Sequence, residues 1–378
     1  MTTIKLGDVA TEVKSSNKGD KTGCKIVGLE HLTPSDVTLS AWSDDTNNSF
    51  TKEFSKGDVL FGRRRAYLKK AAVAPFDGIC SGDITVIRAK EGKVIPQLLP
   101  FIIQNDFLFD YAVEKSAGSL SPRVKWEHLK NFEIILPDME KQKQLADTLW
   151  SINQTKQAYL ALIKQTDELV KSQFIEMFGS INDRVFLEDC CTMNARVGWQ
   201  ALKKDEYMEQ GEYMLITGTD FVNGKVDFST CVYVSKERYE MDEKIQVKNG
   251  DILVTKDGTI GKVAIVEGLD MPATLNAGIF VIRPNDKFDV DFFSYLFKGP
   301  IFAEFVDLVK SGATIKHLNQ GKLQKYEIPL APMELQKVFA EMYRQSDKSK
   351  FELQDAIDNL DALSKKIIAE NLIAAGKE

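Results

Sequence analysis

The sequence predicts an α+β chain: two pseudo-repeated mixed α/β domains separated by two long helices that carry coiled-coil seams. The first observation is a duplicated junction. Phe132-Glu-Ile-Ile-Leu-Pro-Asp-Met-Glu-Lys-Gln returns as Tyr326-Glu-Ile-Pro-Leu-Ala-Pro-Met-Glu-Leu-Gln, and a long polar helical stretch follows each copy. A repeat of this kind decides the architecture before any local reading does. The second is the spacing within those stretches, where residues suited to a buried stripe recur by threes and fours. The third is a run of short strand patterns before each junction, punctuated by Gly-Asp and Asp-Gly turns.

Boundaries follow from the repeat: a first domain at 1–136, a first helical region at 137–179, a second domain at 180–330 and a second helical region at 331–378. In the first domain the strand-like runs are Val59-Leu60-Phe61, Ala71 to Ala74 and Ile84 to Ile87, and helical periodicity covers Leu98 to Val113. The second domain repeats the plan. Gly57-Asp58-Val59-Leu60 becomes Gly250-Asp251-Ile252-Leu253, Val86-Ile87-Arg88 becomes Val281-Ile282-Arg283, and the apolar helix returns over Phe292 to Val309. Leu6-Gly-Asp-Val and Leu187-Glu-Asp-Cys are candidate matching starts. Away from these anchors the two domains differ, as one scaffold serving two targets would.

The expected helix seam is Leu145, Ile152, Tyr159, Leu162 and Leu169 in the first copy. In the second it is Phe339, Met342, Leu353, Leu360, Leu363 and Ile367, with Thr148, Thr155, Thr166 and Gln173 completing the first stripe and Ser346, Ser349 and Ala356 the second. So narrow a stripe suits one partner helix. The alternative is a helix packed only on its own domain, but ~40 residues make a rod of about 60 Å, longer than a small domain needs. Pro332 suits a first helical turn and Gly179 a stop.

At 378 residues two domains are the better expectation. No apolar run reaches the ~20 residues of a membrane span, and the first residues lack the apolar core of a signal peptide. Five cysteines without a C-x-x-C pair point to reduced thiols and a cytoplasmic setting. Three dispersed histidines suggest no metal site. The net charge of −6 argues against a simple basic nucleic-acid binder. By segment it is about +2 for residues 1–137 and about −5 for 180–331, so clusters matter more than the total.

The densest cationic cluster is Arg63-Arg64-Arg65-Ala-Tyr67-Leu-Lys69-Lys70, which follows a strand. Arginine forks bind phosphates or guanine edges bidentately, and lysines add phosphate charge; the alternative is a solvated charged face. Its counterpart, Lys256-Asp-Gly-Thr259-Ile-Gly-Lys262, resembles a phosphate loop only superficially, because its glycines are too close and a valine follows the lysine. It reads better as a tight turn able to touch a DNA phosphate. Arg123 and Lys125 in one domain, and Lys316, His317 and Asn319 in the other, lie on paired loops suited to base and phosphate contacts or to plain connection. Pro137-Asp-Met-Glu-Lys could suggest a nuclease, but the second copy lacks the first acid and the lysine. Acids in a first turn also favour the helix dipole without any catalysis. No G-x-G-x-x-G, G-x-S-x-G or H-E-x-x-H motif is present, nor the Asn/Asp-Pro-Pro-Tyr/Phe stretch of amino-methyltransferases.

The duplicated junctions, the two variable domains, the two long helices and Gly57-Asp-Val-Leu-Phe-Gly-Arg-Arg-Arg-Ala-Tyr together resemble the specificity (S) subunit of type I restriction–modification enzymes, over essentially the whole chain. The resemblance implies two target-recognition domains, each reading one half of a bipartite site on double-stranded DNA. It implies that the helices form an antiparallel coiled coil docking two methyltransferase (M) subunits, with endonuclease/translocase (R) subunits joining through them. It implies no catalysis, cofactor or membrane of the chain's own. Two rival readings are a self-sufficient methyltransferase or nuclease, which the missing motifs disfavour, and a coiled-coil scaffold for proteins alone.

Overall fold

The computed structural model describes residues 2–17, 19–311 and 317–373. Contacts divide the chain into two units, Met1–Ala161 with Leu353–Glu378, and Leu162–Glu352. Each unit holds part of both long helices, Met139–Phe178 and Met333–Leu372, which are 40 residues each.

In the first unit an antiparallel sheet runs Ala10–Glu12, Ile84–Ala89, Val59–Gly62, Ala71–Val73 in spatial order. Its period-two pattern sorts its side chains cleanly. Val59, Phe61, Ala71 and Ile87 join a core with the helices Leu99–Ile103 and Asp106–Glu114. Leu60, Ala72, Ile84 and Val86 face the other way, onto a small sheet of Lys25–Val27, Gly78–Cys80 and Lys52–Phe54. Both faces are covered, which is why these strands read as nearly continuous apolar runs.

The second unit is built alike. Cys191–Ala195, Ile279–Pro284, Ile252–Thr255 and Val263–Ile265 lie in the same order, extended by the hairpin Phe221–Val222 and Lys225–Val226. Ile252, Val254, Phe280 and Ile282 face the helices Val290–Lys298 and Pro300–Ser311, while Leu253, Ala264 and Val281 face a second sheet. The registers agree too: Val59 pairs Ile87 as Ile252 pairs Ile282. Leu6–Val9 and Leu187–Cys190 are equivalent short helices, and the Leu6 and Leu187 amides donate to Phe132 and Tyr326 carbonyls.

Two further contacts recur. Arg88 donates to both oxygens of buried Asp58 at 2.6 and 2.7 Å, and Arg283 to those of Asp251 at 2.7 Å each. At the foot of each long helix a buried glutamine ties helix to domain. Gln142 accepts from the Ile95 amide and donates to the Pro137 carbonyl. Gln336 accepts from Asp289 and donates to Lys287 and Ala331. These glutamines matched in the sequence repeat; their burial explains the match.

The single helix expected over Leu98 to Val113 is two, broken where Asn105 caps the second by accepting from the Leu108 amide. The stretch Phe292 to Val309 likewise breaks, at Gly299. The long helices pair antiparallel in each unit. In the first, Leu145 and Leu149 share a core with Ile368 and Leu372, and Lys156 meets Asp361 at 2.7 Å. In the second, Phe178 packs on Phe339, and Asp167 meets Lys350 at 2.8 Å.

The seam needs a correction. Leu145, Ile152, Tyr159, Phe339, Leu353, Leu360 and Ile367 are buried or half-buried, but Leu162, Leu169 and Leu363 are exposed. The alternate inward positions fall one residue later, at Leu149, Lys156, Ile163 and Val170, and at Tyr343, Lys350, Ile357 and Ser364. Met342 is half-buried like most of the others and packs against the second unit's core beside Tyr343. With lysine and serine among the true inward positions and leucine among the outward ones, apolar spacing alone misplaces the alternate positions by one residue.

Candidate nucleic-acid interface

Strand Val59–Gly62 delivers the arginine cluster to a corner of the first unit. There the Arg63 amide donates to the Asp83 carbonyl at 3.0 Å and the Arg63 carbonyl accepts from Val124, at 3.0 Å. Backbone bonds therefore fasten the corner to two other segments. Asp83 also gathers side chains: Arg123 donates to both its oxygens at 2.7 and 3.2 Å, and Arg64 approaches one at 3.5 Å while reaching Ser121 Oγ at 3.1 Å. The Arg123 hydrogen bond, with the charges of Arg64 and Arg63, holds the Asp83 carboxyl below its ordinary range against a burial penalty.

Arg65 and Lys69 both take left-handed backbone conformations, at φ 53° and 50°, on either side of the turn Ala66–Leu68. Such geometry costs about 1–3 kcal/mol at a non-glycine residue and persists where surrounding contacts enforce it. The Arg65 amide, bonded to the Pro122 carbonyl at 2.8 Å, and the Lys69 carbonyl, which accepts from Gln104 and Ser35, supply that enforcement. The result turns Tyr67 outward, 54% exposed.

The predicted cations thus divide. Lys69 bonds Asp106 at 2.5 Å, and Asp106 also takes Lys365 at 3.0 Å; both hold its carboxyl below the ordinary range. Lys70 donates to the Leu29 carbonyl at 2.7 Å. Arg64 and Arg123 are organised by Asp83. Arg63 is half-buried, and its Nε meets no partner among the described residues. Arg65 and Lys125 are exposed and have no acidic partner among the described residues.

The second unit reproduces the backbone of this corner with other side chains. The Lys256 amide donates to Gly278 and its carbonyl accepts from Leu318, as at Arg63. Asp257 stands where Arg64 stands and contacts His317, the counterpart of Arg123. Lys256 lies 5.5 Å from the Phe280 ring; Lys262 reaches the Gly218 carbonyl at 3.5 Å and lies 6.0 Å from the Phe221 ring. Thr259 is exposed, and its carbonyl accepts from the buried Thr255 hydroxyl. Asn319 caps helix Gln320–Gln324 by accepting from the Gly321 amide. Lys316 lies outside the described residues. The loop returns into strand Val263–Ile265 instead of opening a helix, so no phosphate-binding helix start exists here.

Sequence reasoning noted Asp83 and Asp257 only as turn residues. Asp83 lies 19 residues from Arg64 and 40 from Arg123 in the chain, so no local signal marks it as their organiser; the fold alone brings them together. Among the described residues no three metal-ligating side chains converge, and no helix is long and apolar enough to cross a membrane.

Twin corners on one backbone plan, joined to paired helices and carrying different side chains, define a two-module recognition protein. The sequence matches the type I restriction modification DNA specificity domain over residues 1–166 and 183–361, and the chain belongs to that family. It is 22% identical to the type I restriction enzyme MjaVIII specificity subunit of Methanocaldococcus jannaschii, covering 79% of this chain and 74% of that one. The fold is shared with the crystal structure of a type I restriction-modification S subunit from M. genitalium (TM-score 0.62, 12% identity, 99% and 96% of the two chains). It is shared also with a chain from a structural study of complex assembly and conformational transition in a type I R-M system (TM-score 0.54, 20% identity, 98% and 97%).

Proposed function

We propose that this chain reads DNA sequence for a type I restriction–modification complex and performs no chemistry itself. Residues 1–136 and 180–330 are its target-recognition domains, each taking one half of a bipartite site. Regions 137–179 and 331–378 hold two methyltransferase subunits, through which endonuclease/translocase subunits join, and the complex works in the cytoplasm. The carrying observation is the repeated corner. A frame fastened by equivalent backbone bonds presents Arg63, Arg64, Arg65 and Arg123 in one unit, and Lys256, Asp257 and His317 in the other.

Phosphate contacts fix register while base edges give specificity. Arg65, Lys125 and Tyr67, exposed on this corner, make the first unit's DNA contacts together with Arg63, Arg64 and Arg123. In the second unit the contacts come from Lys256, Thr259, Lys262, Lys316, His317 and Asn319. Lys70 serves the corner's shape through its bond to the Leu29 carbonyl, while Lys69, paired with Asp106, exchanges that partner for a phosphate when DNA binds.

The test is methylome sequencing of cells that express the chain with its methyltransferase partner. A bipartite methylated motif is expected. Replacing Arg63, Arg64 and Arg65 together by alanine should degrade one half of it, with ~1–3 kcal/mol lost for any arginine that grips a base bidentately. Unchanged motif and affinity at moderate salt would refute the reading.

A further inference from the structure

Leu120 stands at the tip of the loop between Ala117 and Arg123, 89% exposed. The loop is stapled on every side. Ala117 and Arg123 exchange backbone bonds at 3.1 and 2.9 Å, Pro122 accepts from the Arg65 amide, and Ser121 accepts from Arg64. Gly118 turns the chain at φ 114°, a conformation that suits glycine. So much fastening fixes a leucine in water, where its packing contributes nothing to the unit. The loop itself ends in Arg123, Lys125 follows two residues on, and the Arg65 amide is bonded to its Pro122.

We propose that Leu120 reads a base, through an apolar contact with the C5-methyl group of a thymine in the first half-site. This rests on the reading of the first unit as DNA-binding. The surrounding cations suit phosphates, and a leucine cannot bond a phosphate. What it can recognise is the apolar feature of a base edge, and in the major groove that is the thymine methyl. The fixed loop also spares the cost of ordering the side chain's backbone on binding.

The test uses the full chain in complex with its methyltransferase subunits, on duplexes carrying the motif found by methylome sequencing. Each thymine of the first half-site is replaced singly by deoxyuridine, which lacks only the methyl group. At one position the unaltered complex should bind about four-fold more weakly, the worth of one buried methyl. The Leu120→Ala complex should have lost a similar factor and be indifferent to deoxyuridine there, while the second half-site is unaffected. Thermal melting of both chains should coincide, since an exposed side chain is being trimmed.

A Leu120→Ala complex that binds normally, or keeps its deoxyuridine sensitivity, overturns the proposal. So does a loss of affinity with no deoxyuridine-sensitive position; that pattern belongs to a leucine wedged between base pairs. A half-site without thymine overturns it too. Absence of any methylated motif from the unaltered complex is a different failure, that of the sequence-reading role itself.

Discussion

Asp83 is a small residue with a large duty, since Arg64, Arg123 and the backbone of Arg63 all converge on it. Asp83→Asn should cost little stability, because its partners Arg64 and Arg123 stay in water and such pairs contribute little. It should nonetheless loosen target recognition, which methylome sequencing would show as relaxed positions within one half-site. The acid response has a definite sign. The folded Asp83 carboxyl titrates below its ordinary value, so the clamp's contribution is complete above roughly pH 4 and is lost as pH falls through the lowered value. DNA affinity of the complex should therefore vary little through this group between neutral pH and pH 5. Asp58 and Asp251 are different, being buried beneath their arginines. Arg88→Ala and Arg283→Ala each strand a carboxylate, and denaturant titration should show a loss of about 2–3 kcal/mol. That is less than the 3–5 kcal/mol of a wholly buried pair, because water reaches the arginines.

The long helices show how an element's existence can be plain while its orientation is not. Two 40-residue helices were legible from the duplicated junction, but the buried face was misjudged by one residue in alternate positions. The inward Lys156 and Lys350 are neutralised by Asp361 and Asp167, so charge sits where a seam expects leucine. Substitution at the two phases should separate their roles. Ile163→Glu or Ile357→Glu should unfold the pairing, whereas Leu169→Glu or Leu363→Glu should leave the melting temperature intact and prevent co-purification of the methyltransferase. The sheets were half legible. Val59 to Phe61 and Ile84 to Ile87 announced themselves as apolar runs, while three-residue strands such as Lys25–Val27 and Lys52–Phe54 form only through partners distant in sequence. At the candidate interface, residue types located the corner. Which cations were already engaged depended on Asp83 and Asp106, brought in by the fold.

At the scale of the whole molecule, charge decides how the chain meets DNA. A protein of net charge −6 releases few counterions on its own. Purified alone it should bind its target weakly, and addition of the methyltransferase should raise affinity and steepen the salt dependence. Tight, specific binding by the chain alone would contradict this, in a titration of labelled duplex at two salt concentrations.

If Lys69 binds DNA as proposed, Asp106 is the residue through which these two binding events would meet. It divides its two oxygens between Lys69, beside the arginine turn, and Lys365, on the second long helix. A phosphate that draws Lys69 away leaves the carboxylate to Lys365 alone, and a partner protein that engages Lys365 leaves it to Lys69. Occupancy at one place then carries a free-energy consequence at the other. Such linkage is reciprocal, so whatever factor the methyltransferase adds to DNA affinity, DNA must add to methyltransferase affinity. Asp106→Asn should shrink both factors together, and by the same amount, in a thermodynamic cycle measured around all four corners.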